Sequence, residues 1–144
     1  MFPFSIKYST QFKQINYSRN NDVLKYIDDF LVIKSAENVI IDHNKLTFTS
    51  KFFNGKSNWH ILRPIEKGVF TIINKNATTT LTYQFFMYRL FIISAGMSIM
   101  MAIVSNTISI GIFCFCWLCG MNWITAIIRH KKMFKNIVKG IDIL

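Results

Sequence analysis

Between Arg89 and Arg129 the chain carries no charged side chain. The gap, Leu90 to Ile128, runs for about 39 residues, close to 60 Å as one helix at roughly 1.5 Å per residue. A bilayer's hydrocarbon core is about 30 Å thick. The stretch is too long for one crossing and about right for two. The expectation is a transmembrane helical hairpin over 85–128, with spans near 85–104 and 108–128. Ser105-Asn106-Thr107, polar and uncharged, forms the turn between them.

The residues before the gap read as one small α+β domain over 1–84, since that length supports one modest core and not two. Phe4, Ile6 and Tyr8 alternate with Ser5, Lys7 and Ser9, the period of a half-buried strand. Asn20, Asn21 or Asp22 suits a helix cap. Val23, Leu24, Ile27, Phe30 and Leu31 then share one helical face, to an end near Ser35. Short strands follow at Val39–Ile41, Leu46–Phe48, Trp59–Leu62 and Val69–Ile73, and a longer one at Thr78–Phe86. Turns fall at Asp42–Lys45, Asn54–Lys56 and Asn74–Asn76. The pattern predicts a small antiparallel sheet with one packed helix.

After Ile128 comes a basic tail, 129–144. Met133, Phe134, Ile137, Val138 and Ile141 fall on one helical face and Lys131, Lys132, Lys135 and Lys139 on another. This predicts a C-terminal amphipathic helix resting on an anionic leaflet, with docking on the sheet as the competing arrangement.

Charge gives orientation. The net charge is +10, and the predicted turn between spans contributes none of it. Both flanks are basic, so the positive-inside rule puts both termini in the cytoplasm, as in a bacterial inner membrane. Arg89, Arg129, Lys131, Lys132, Lys135 and Lys139 are the expected contacts for anionic headgroups. The densest basic cluster abuts an apolar span, which favours lipid over nucleic acid. Tyr83, Tyr88 and Trp123 suit an interfacial aromatic belt. Ser94, Ser98 and Ala102 recur every four residues, as do Cys116 and Gly120. Such small-residue faces let helices approach, within the hairpin first and between copies of the chain second.

No catalytic, cofactor or metal constellation stands out. Cys114 and Cys116 lie about 200° apart on a helix and cannot share a mononuclear site. A thiol in hydrocarbon packs as a small apolar group. His43, His60 and His130 are scattered, and the apolar stretch holds no acid or histidine for a proton relay. The expected role is non-enzymatic: an accessory, scaffold or regulatory protein at the cytoplasmic membrane face, with membrane lipids and a protein partner or a second copy as companions. The alternative is a lipid- or small-ligand-binding module with its pocket at the headgroups.

Overall fold

The computed structural model describes residues 4–13, 17–34, 36–50, 65–75 and 78–141. Its elements run β1 (Ser5–Lys13), α1 (Tyr17–Ile33), β2 (Glu37–Asp42), β3 (Lys45–Thr49), β4 (Lys67–Lys75), β5 (Thr78–Phe86), α2 (Tyr88–Val104) and α3 (Ile108–Ile141). The expected turn at Asn54–Lys56 and the strand at Trp59–Leu62 lie outside the described residues.

The five strands form one antiparallel sheet in the order β1-β5-β4-β3-β2. β2 to β5 meander by sequential pairing. β1 joins at the far edge against β5, with Tyr8 opposite Tyr83, and α1 carries the chain from that edge to β2. Strict alternation decides which side is buried. Leu46 and Phe48 of β3, Phe70 and Ile72 of β4, and Leu81, Tyr83 and Phe85 of β5 all lie in the core. Their sequence neighbours on the other face are mostly Thr, with Lys45 and Gln84 among them. Cross-strand pairing sets Phe70 opposite Tyr83 with ring centroids 4.4 Å apart. Phe48 continues the stack, 6.2 Å from Phe70. Its ring occupies the space a Cβ on Gly68 would need, so glycine is required there for packing rather than for a turn.

α1 buries Val23, Leu24, Ile27 and Leu31, the expected face. It begins earlier than its expected cap, however. Asn20 is inside the helix and buried, and its amide Nδ2 donates to Asn44 Oδ1 at 3.5 Å. Asn20 ties α1 to the β2–β3 turn instead of capping it.

The two-span transmembrane hairpin is not what forms. Among the described residues only one helix, α3, is long and apolar enough to cross a membrane; α2 is a shorter apolar helix of 17 residues. The first expected span loses its opening residues to the sheet, because Phe85 and Phe86 belong to β5. The tail is no separate amphipathic helix either. α3 runs unbroken for 34 residues, through Ile128 and on to Ile141. Nothing interrupts it: no proline occurs, and the glycine nearest its end, Gly140, falls one residue before the last.

The long helix is held by two different partners along one stripe. Its buried residues are Gly111, Cys119, Ala126, His130, Met133, Phe134, Ile137 and Ile141. At 3.6 residues per turn they span about 140° of arc. The first part of the stripe meets α2, and the second part meets the sheet and α1. The apolar face of the tail is therefore spent on the domain, and the lysines point outward and are exposed. α3 thus continues without a break from the α2 seam onto the domain.

Candidate functional site: an apolar helical projection with a charged base

α2 and the first half of α3 stand out from the domain as an antiparallel pair. Their closest approach is at Gly111, where a Cβ would lie 2.7 Å from Ala102 Cβ and 2.9 Å from the Ser98 carbonyl oxygen. Ser94 and Ser98 are buried in this seam, so the small-residue face read on α2 is the packing face. Its mate on α3 is different from the expected one. Cys116 is exposed, and nothing lies within 4 Å of a Cβ placed on Gly120. Gly111 and Cys119, both buried and eight residues apart, do that work. An eight-residue spacing is a weaker sequence signal than the four-residue repeat of Cys116 and Gly120.

The outward surface of the pair is apolar on all sides. Ile92, Ile99 and Ile103 on α2, and Ile108, Phe113 and Trp117 on α3, are each at least 60% exposed. A monomeric soluble protein rarely presents a contiguous apolar patch beyond a few hundred Å². The polar side chains in this region turn inward on their own backbone. Ser98 Oγ donates to the Ser94 carbonyl at 2.6 Å, Asn122 Nδ2 to the Leu118 carbonyl at 2.6 Å, and Thr125 Oγ1 to the Met121 carbonyl at 2.7 Å. This is how helices meet hydrogen-bonding needs where water is absent. The tip follows the same rule. The amides of Ser105, Asn106 and Thr107 donate back to the carbonyls of Met101, Ile103 and Ala102, and Ser105 Oγ to the Met101 carbonyl at 2.7 Å.

The base of the projection is charged and aromatic. Arg89, in the first turn of α2, pairs through Nε with Glu66 Oε1 at 2.9 Å. Phe4 packs edge-on against Phe91, centroids 4.8 Å apart, and lies 6.4 Å from the Tyr88 ring. Phe4 and Tyr88 are both exposed. Trp123 is half-buried against the core. Tyr83, expected beside them, is instead fully buried at the centre of the sheet. The Lys131, Lys132, Lys135 and Lys139 side chains are exposed on the outer face of α3, and Arg129 is half-buried.

Tyr83 meets α3 where the helix passes from α2 to the sheet. Its hydroxyl and His130 Nδ1 lie 2.9 Å apart. His130 stacks on Phe85 at 4.5 Å, and Phe134 stacks with both Tyr8 and Tyr83 near 6 Å. Tyr8 in turn donates its hydroxyl to the Ile127 carbonyl at 3.1 Å. These rings fill the space between the sheet and α3. In the sequence His130 stands apart from the other histidines; its partner is 47 residues away, beyond any local pattern.

The remaining chemical candidates do not converge. His43 contacts Asp42 at 2.9 Å, but both are highly exposed in the β2–β3 turn. His60 lies outside the described residues. Among the described residues no group of three His, Cys, Asp or Glu is placed to hold a metal ion. Comparison of the chain with protein-family models, curated proteins and solved structures finds no match.

Proposed function

We propose that this protein is a non-enzymatic membrane-resident scaffold or accessory subunit, which holds a small α+β domain at the cytoplasmic face. The observation that carries the reading is the apolar surface of α2 and the front of α3. Burying it in lipid removes large side chains from water at roughly 25 cal/mol per Å², and no charged group has to follow them in. The domain is joined without a linker: β5 ends at Phe86 and α2 starts at Tyr88. Such a connection suits presentation of a surface at fixed height rather than a tethered, searching module.

The cytoplasmic placement rests on charge. Arg89, Arg129 and the four exposed lysines of α3 all lie on the domain side of the projection, and the tip has none. Anionic headgroups are the lipid partners that complement those nearest the projection, Arg89, Arg129, Lys131 and Lys132. Pocket-based ligand binding has less support, because aromatic rings occupy the sheet–α3 contact.

The test is extraction of the native protein from its membrane in mild detergent, followed by sizing and mass spectrometry. A stoichiometric protein companion, or a defined homo-oligomer, is the expected outcome. A lone monomer retaining a small molecule or a specific lipid in place of protein would contradict the scaffold role.

A further inference from the structure

The geometry points to one-sided insertion: the α2–α3 projection enters the bilayer from the domain side and ends within the opposite leaflet, short of the far aqueous phase. This rests on the membrane reading above and adds its depth.

The argument begins at the seam. Gly111 of α3 is level with the Ser98–Ala102 turn of α2, near residue 100. In an antiparallel pair, equal steps away from the tip stay level. Arg89 is about eleven residues from that point on α2, and the same count on α3 reaches Asn122. Arg89, Tyr88, Asn122 and Trp123 thus share one height. Glu66 is held at that height by its ion pair with Arg89, and its own amide donates to the Phe86 carbonyl at the end of β5. A domain carboxylate fixed to the sheet does not descend into hydrocarbon, so this level marks the near edge of the membrane core. The exposed rings of Phe4 and Tyr88 beside it fit the same boundary.

From Leu90 to Val104 is 15 residues, about 22 Å of helix at 1.5 Å per residue. The turn adds a few ångströms. The hydrocarbon core is about 30 Å thick. The projection is therefore short by roughly 5 Å or more. The rest of α3's length gives no further reach, because Ala126, Met133 and Phe134 are packed into the domain and His130 is bonded to Tyr83. The turn's amides are already bonded within the chain, so the tip can rest below the far headgroups without water. Asn106 is the outermost polar side chain there, with a left-handed backbone at φ 50° that asparagine tolerates.

The experiment is site-directed labelling in sealed right-side-out vesicles. The full chain carries Asn106→Cys in a background with Cys114, Cys116 and Cys119 replaced by alanine. One-sided insertion predicts no reaction with a membrane-impermeant maleimide added outside, and full reaction once detergent is added. A spin label at the same position should be relaxed by oxygen and hardly at all by a water-soluble nickel chelate. Rapid labelling from outside would overturn the proposal, since the tip would then cross. Ser105→Cys is a second tip variant, should the first fail to accumulate. Recovery of the unlabelled protein in the soluble fraction, without detergent, would overturn the membrane reading itself, and the depth claim with it.

Discussion

The Tyr83 hydroxyl and His130 Nδ1 share a hydrogen bond of 2.9 Å inside a core where neither side chain is exposed. This contact joins β5 to the long helix at the point where α3 leaves α2 and meets the sheet. It ties the second half of the helix to the core face of the sheet.

Removing that hydroxyl tests the join. Tyr83→Phe keeps the ring stack with Phe70 but leaves the imidazole without its phenol partner. A buried polar group stripped of a hydrogen bond costs about 1–3 kcal/mol. The expected result is a lower midpoint of denaturation in detergent micelles, followed by circular dichroism, with unchanged helix content before the transition.

The same residue sets an alkaline limit. Burial pushes the Tyr83 hydroxyl well above the ordinary tyrosine value of 10.0, and neighbouring Tyr8 pushes the same way. The unfolded chain gives up this proton near pH 10 and the folded chain keeps it. The stabilising contribution is therefore whole below pH 10 and declines as pH climbs toward the folded value. For Tyr83 alone the slope reaches about 1.4 kcal/mol per pH unit. Unfolding midpoints measured from pH 8 to 11 should fall above 10, and fall less steeply in Tyr83→Phe. Tyr8 is also raised by burial, so some slope should remain.

Two glycines of α3 should behave oppositely. Gly111→Leu drives a side chain into Ala102 and the Ser98 carbonyl, and overpacking of this kind costs about 1–3 kcal/mol. Gly120→Leu meets nothing within 4 Å and should be neutral. Thermal stability in micelles checks the pair. Equal losses would mean that α2 and α3 are packed on other faces.

The basic residues of α3 form a ladder rather than a surface patch. Along the helix axis Arg129, Lys131 and Lys132 stand roughly 10–15 Å above Asn122, and Lys135 and Lys139 about 20 and 26 Å. Headgroups occupy about 5–7 Å of that height, and the Debye length is about 8 Å at physiological ionic strength. On the proposed insertion only the lower three come within reach of the lipid charge. Lys131→Gln with Lys132→Gln should reduce enrichment of phosphatidylglycerol around the protein in mixed nanodiscs, by about fivefold per charge. Lys135→Gln with Lys139→Gln should change it little. Native mass spectrometry of the released lipids reads the difference.

How much of this was legible in the sequence depended on whether a pattern had one possible partner. β5 was read to its ends, Thr78 and Phe86, because strict alternation of apolar and polar residues has one structural meaning. The apolar face of α1 was read for the same reason. Phe85 and Phe86 were also counted into a span, because an apolar run does not mark where a strand stops and a helix begins. The stripe Met133, Phe134, Ile137 and Ile141 was read correctly as a helical face, yet lipid and sheet satisfy such a face equally well, and the sheet holds it. The break expected at Ile128 had no breaker residue behind it. Charge content changes at that point, but helical backbone is indifferent to that change. Tyr83 and His130 could not be paired, since only the folded sheet brings them together.

The central claim is that the outward face of the α2–α3 projection lies in lipid, and Trp117 reports on it most directly, being 60% exposed and about six residues inward from Trp123. Its fluorescence should be measured in vesicles of lipids brominated at successive acyl positions, with Trp59 and Trp123 replaced by phenylalanine. The account predicts blue-shifted emission, quenched most strongly by bromines well down the chains. Emission typical of water, indifferent to brominated lipid, would contradict it.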